Sequence, residues 1–180
     1  MKRVSVVAAA IAVVLFVVSC GGDEPVEVTT TSDGFKQVES IDMVFQWKIQ
    51  GGNIEIKVTA PEKGWVGVGF DPDSIMKGAN FIIGYVDNGV GHIEDHYGHK
   101  SIEHESDIAL GGSDHVTLMD SSENASGTML HFSIPLDSGD EYDKPLVAGQ
   151  TYKVLLAYHT SDDFVGEHTK STRTGIEFEL

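Results

Sequence analysis

The sequence predicts an all-β fold, a two-sheet antiparallel β-sandwich. Several runs between Met43 and Leu180 alternate apolar and polar residues with period two, as strands do when one face is buried. Short clusters of Gly, Asn and Asp separate these runs at hairpin spacing. No segment of helical length carries a 3.6-residue period, so the cover for each sheet has to be another sheet.

In chain order, Lys2 and Arg3 precede an apolar run from Val4 to Val18 that only Ser5 interrupts, and Ser19 and Cys20 follow. A membrane span needs roughly 20 apolar residues, so residues 1–19 read as a cleaved export signal. The segment Val17-Val18-Ser19-Cys20 resembles the lipobox of bacterial lipoproteins, which implies cleavage before Cys20 and acylation of its thiol, as with palmitate. The expected location is the cell envelope, with the protein lipid-anchored to a membrane and facing away from the cytoplasm. Cys20 is the only cysteine, so no intrachain disulfide braces the fold. Residues 20–34 read as a flexible tether, small or polar and without periodicity, and residues 35–180 as the folded domain. Loss of residues 1–19 removes Lys2 and Arg3 and no acid, taking the formal charge from −16 to −18. That surface repels phosphate backbones, so no nucleic-acid partner is expected, and the lipid alone makes the membrane contact.

The first clear strand has Met43, Phe45, Trp47 and Ile49 on one face and Gln46, Lys48 and Gln50 on the other. A turn at Gly51-Gly52-Asn53 leads to Ile54, Ile56 and Val58, which alternate with Glu55, Lys57 and Thr59. GWVGVGF (64–70) follows, then NFIIGYV (80–86), apolar on both faces and therefore expected at the centre of a sheet. GHIEDHYG comes after the turn at Asp87-Asn88-Gly89, and MLHFSIPL (129–136), TYKVLLAYH (151–159) and GIEFEL (175–180) complete about eight strands. The alternation assigns Phe45, Trp47, Ile54, Ile56, Phe132, Ile134, Val154, Leu156, Ile176 and Phe178 to the layer between the sheets.

Gly67 and Gly69 clear one face of the GW strand, which suits a body lying against it, whether a ligand or the bulk of Trp65 or Trp47. Met76 stands on the following loop. The run GW-x-G-x-GF, the Met76-Lys77-Gly78-Ala79-Asn80 segment, FIIGYV, and LLAYH with the nearby HTKS together resemble a DOMON domain. They are similar to the cytochrome domain of cellobiose dehydrogenase and to bacterial DOMON lipoproteins. The resemblance spans roughly Asp42 to Leu180. It implies an immunoglobulin-like sandwich with a pocket for a sugar or a noncovalent haem b.

In the haem-binding branch of this family, the iron sits between a methionine after the GW strand and a histidine near the C-terminus. Met76 matches the first, and His168, from its spacing to GIEFEL, is preferred for the second, with His159 the alternative. Trp65, Gly67, Gly69 and Tyr85 are the expected pocket residues. Thioether and imidazole are the axial pair of low-spin electron-transfer haems. No Cys-x-x-Cys-His is present, so covalent c-type attachment is excluded.

The resemblance thus implies a haem b domain that relays single electrons, and two other readings stand beside it. A carbohydrate could occupy the same pocket, stacked on Trp65, Tyr85 or Tyr158. Alternatively, His92, Glu94 and His96, which share one strand face near His99 and His104, could hold zinc or copper. The acids Asp107, Asp114, Asp120, Glu123, Asp137, Asp140, Glu141 and Asp143 lack the order of a calcium loop and read as solvated turns. No nucleophile elbow, P-loop or dinucleotide fingerprint is present, so a non-enzymatic role is expected, and the acidic surface would select a basic redox partner that the sequence does not name.

Overall fold

The computed structural model describes residues 27–180, so the expected export signal and Cys20 lie outside the described residues. One sheet takes the order β1-β2-β3-β4-β10-β9. Its strands are β1 (Thr29–Thr30), β2 (Lys36–Ser40), β3 (Met43–Gln50), β4 (Asn53–Ala60), β9 (Thr117–Asn124) and β10 (Gly127–Pro135). The other takes the order β12-β11-β5-β6-β7-β8. It is built from β5 (Trp65–Phe70), β6 (Asn80–Asp87), β7 (Val90–Tyr97), β8 (Glu105–Ser106), β11 (Thr151–His159) and β12 (Arg173–Glu179). All neighbours pair antiparallel. A single helical turn, α1 (Asp107–Leu110), and a 3-10 turn at Lys170–Thr172 are the only helical elements among the described residues. No helix among them is long and apolar enough to cross a membrane.

Strand pairing starts before Phe35, inside the stretch expected to be tether: Thr29 and Thr30 pair with Gln37 and Lys36. The cause is a local turn, which a periodicity reading does not register. The Thr31 amide donates to Phe35 O at 2.8 Å, and the Phe35 amide donates to Thr31 Oγ1 at 3.0 Å. Phe35 is itself buried, with the Lys48 and Lys57 ammonium groups 4.4 and 4.1 Å from its ring centre.

All ten residues expected between the sheets are buried in one cluster. Trp47 stacks on Phe45 at 5.4 Å and meets Phe178 edge-on at 5.0 Å, joining the two sheets through aromatic contacts. The second sheet is covered on both faces. Val66, Val68, Phe70, Ile82, Val154 and Leu156 point into the inter-sheet core. Trp65, Phe81 and Ile83 point the other way, into a smaller cluster with Ala79, against which Met76, Leu155, Ala157 and Phe164 pack. Burial on both sides explains why β6, central as expected, reads as a continuous apolar run.

Candidate functional site

The outer face of the second sheet holds a cavity of about 550 Å³, within the usual range of cofactor and small-ligand sites. Register determines its floor. Leu155 pairs with Gly69 and Ala157 with Gly67 across β11 and β5, and Gly67 pairs with Ile83 across β5 and β6. These positions share the outward parity, and Trp65, Gly67, Phe81, Ile83, Leu155 and Ala157 make an apolar surface there.

Two loops supply the walls. The loop between β5 and β6 brings Met76, held where Ala79 N donates to Met76 O at 3.2 Å and Met76 N to Ser101 O at 3.2 Å. The preceding residue, Ile75, takes φ 54°, a left-handed conformation that costs a β-branched residue about 1–3 kcal/mol. Gly98 has no room for a side chain, because a Cβ there would overlap Met76 O. The loop between β11 and β12 brings His168, whose Nδ1 is buried without a hydrogen-bond partner. Lys153, Lys170 and Arg173 also line the cavity, a concentration of positive charge on a chain of net charge −16.

Burial, with Arg173 nearby, holds the His168 imidazole below its ordinary pKa, so it is neutral at pH 7. His104, also in the lining and 5.6 Å from the Phe81 ring, is depressed to about 4, by burial first and then by His96. His104 Nδ1 lies 3.0 Å from His96 Nδ1, and His96 Nε2 lies 3.0 Å from Glu94.

Of the expected site residues, Met76, His168, Trp65 and Gly67 come together in this cavity. His159, Gly69 and Tyr85 do not line it. His159 tilts over Trp65 at 6.3 Å, with its Nδ1 3.0 Å from Ser161 Oγ. A Cβ on Gly69 would overlap the Phe81 ring, so that glycine makes room for a neighbouring side chain and not for a ligand. Tyr85 stacks on His92 at 4.8 Å and packs against Phe164 at 4.9 Å. Tyr158 belongs to the inter-sheet core, which leaves Trp65 alone of the three aromatics as a stacking platform in the cavity.

With His92 engaged by Tyr85, the histidine strand does not converge as a metal site. Among the described residues the converging set is Asp95, His115 and Asp143. The acidic stretch is also not uniformly solvated: Asp107 is fully buried and the Asp143 side chain is nearly so. The parts of the cavity that sequence reasoning missed are His104 and the cations Lys153, Lys170 and Arg173. Outward parity on β11 was the available signal for Lys153; nothing local marks the others.

The chain spans only a small part of the curated relatives it matches. It is 31% identical over 121 residues to MOXD1 homolog 2 of Drosophila melanogaster, covering 67% of this chain and 16% of that protein. It is 30% identical over 116 residues to DBH-like monooxygenase protein 1 of Mus musculus, covering 64% of this chain and 18% of that one. Its fold is similar to that of the cytochrome domain of Myriococcum thermophilum cellobiose dehydrogenase, with a TM-score of 0.62 at 11% identity over 85% of this chain and 87% of that one. The cytochrome b domain of Coprinopsis cinerea pyranose dehydrogenase gives 0.55 at 12% identity, over 86% and 82%. The pattern of the DOMON domain family matches residues 39–159, two thirds of the sequence and β3 to β11 in full, and the chain belongs to that family.

Proposed function

We propose that this DOMON domain binds haem b noncovalently between Met76 and His168 and relays single electrons outside the cytoplasmic membrane, anchored there through acylated Cys20. The observation that carries the reading is that Met76 and His168, from loops far apart in the sequence, line one apolar cavity. The fit is chemical as well as spatial. A neutral imidazole with an unpartnered buried nitrogen and a thioether are the donors of a low-spin site, and the cations in the lining suit the carboxylates of a porphyrin. A sugar needs convergent hydrogen-bonding groups, whereas this floor is mostly hydrocarbon. The likeness to two cytochrome domains supports the same choice.

When bound, the haem supplies a one-electron couple. The chain supplies the rest. His168, neutral at pH 7, would hold the iron through a ring nitrogen and Met76 through its sulfur, a donor that favours the reduced state. With both residues engaged, the site would suit outer-sphere electron transfer and not oxygen or substrate chemistry. Trp65, Phe81 and Leu155 would supply the apolar surface against which the group packs.

The test is the optical spectrum of protein produced with ample haem. A Soret band and sharp reduced-state bands are expected. Met76→Ala should give a high-spin or water-ligated spectrum and a lower potential, and His168→Ala should lose most of the haem. His159→Ala should leave the spectrum nearly unchanged. Protein that never acquires a Soret band sinks the proposal.

A further inference from the structure

Behind the Met76 loop, on the opposite face of the same sheet, four segments bring acidic and amide oxygens into one buried cluster. Ile82 pairs with Asp95 and Asn80 with Tyr97, so Asn80 and Asp95 both project towards the inside of the sandwich. Asp107 opens α1 immediately after Ser106, which pairs with His96, and this sets it beside Asp95. Asp143 arrives from the loop between β10 and β11, and His115 from the segment before β9. Ligand atoms of Asp95, His115 and Asp143 lie within 4.8 Å of one another.

These groups are too buried and too poorly paired to be a solvated face. Asp107 is 0%, Asp95 1% and Asn80 5% exposed. Both Asp107 carboxylate oxygens, Asp95 Oδ1 and Asn80 Oδ1 are buried with no hydrogen-bond partner. Asp95 Oδ2 accepts from the His115 amide at 3.1 Å, and Asp143 accepts from Asn80 Nδ2 and from Ser138 Oγ. His115 Nδ1 stands 3.2 Å from Asp143 without hydrogen-bond geometry. No Lys or Arg forms an ion pair with Asp95, Asp107 or Asp143 among the described residues. Burial of unpaired carboxylates is strongly unfavourable unless a cation shares the site. Burial, followed by mutual repulsion with Asp143, pushes Asp95 up to about 8 and Asp107 up to about 7, as expected of acids crowded together without a counter-charge.

We infer that Asn80, Asp95 and Asp143, with the Asp107 carboxylate buried beside them, form a calcium site that ties β6 and β7 to the loop carrying Asp143. The donors are hard oxygens, two carboxylates and one amide carbonyl, drawn from irregularly disposed segments, a set that suits the larger and less directional Ca²⁺ over Mg²⁺. The half-buried His115 is the one nitrogen at the edge. The site braces the Met76 loop from behind. Lys144, next to Asp143, donates to Asp71 O at 2.6 Å and to Asp73 Oδ1 at 2.7 Å at the start of that loop, and Asn80 closes its other end. Calcium binding stands independently of the haem reading, since it uses the other face of the sheet.

The test uses the purified full chain stripped with EDTA, titrated calorimetrically with CaCl₂ and melted with and without calcium. One calcium per chain and a melting temperature that rises with calcium concentration are expected. Asp95→Asn should weaken calcium binding at least tenfold yet melt higher than the unsubstituted protein in EDTA, because it removes a buried charge the stripped site cannot compensate. The exposed control Asp120→Asn should behave as the unsubstituted protein. Absence of both a binding heat and a calcium-dependent melting shift in the unsubstituted protein would overturn the inference whether or not the variant folds. Zinc binding that displaces calcium and is lost in His115→Ala would overturn it too.

Discussion

At the residue scale, burial sets the protonation of the two histidines that line the cavity, and the consequence is measurable as acid sensitivity. His104 has a native pKa near 4 against 6.5 in the unfolded chain. The unfolded state therefore takes up a proton first as pH falls, and the native state loses stability between pH 6.5 and about 4, by at most about 3 kcal/mol. His168 acts in the same direction. Asp95 and Asp107 act in the opposite one: their raised values mean that stability is lost as pH rises from 3.8 towards 7 and 8 when no cation is bound. His104→Gln should flatten the acid limb only. Urea midpoints at pH 7 and pH 5, with haem absent and calcium held constant, check this; an unchanged difference between the two would show that His104 is not the titrating group.

At the element scale, the two glycines of β5 have different jobs. A Cβ on Gly69 would enter the Phe81 ring, whereas a Cβ on Gly67 would meet Trp65 at 3.3 Å and Ile83 at 3.6 Å, contacts that a small adjustment relieves. Gly69→Ala should cost about 1–3 kcal/mol of stability by overpacking. Gly67→Ala should melt near the unsubstituted protein but bind haem several-fold more weakly, because the added methyl sits on the cavity floor. Denaturation and haem titration on both variants separate the roles. The same contrast shows what was legible in the sequence. Strands with an apolar face, β3, β4, β10, β11 and β12, announce themselves by alternation, and β6 by its unbroken apolar run. β9, reading TLMDSSEN, does not, because an edge strand with mostly polar residues has no pattern to display. Met76 and His168 were legible through family motifs. His104, Lys170, Arg173 and the burial of Asp95 and Asp107 were not, since each depends on which distant segment the fold lays beside it.

At the scale of the whole molecule, two features bear on where it works: a net charge of −16 and an N-terminus carrying the lone Cys20. Cys20→Ser should leave the sandwich intact, because the inter-sheet core is drawn from Val38 onward. It should release the protein from membranes under alkaline, high-salt washing, since no acyl chain remains to hold it. Fractionation followed by immunoblotting reads this out, and equal retention of both proteins would refute the lipid anchor. Association with a basic redox partner should slow as ionic strength rises, since charges separated by more than about 10 Å are screened at 0.1 M salt.

The cavity lies outside the inter-sheet core, on the far face of one sheet, and the core closes without it. Loading and unloading of a ligand therefore need not pass through the unfolded chain. A ligand stabilises such a domain only by mass action, in proportion to its concentration over its dissociation constant. The polypeptide can thus finish folding first and be charged afterwards, and a neighbouring protein of higher affinity can strip it and leave a competent recipient behind.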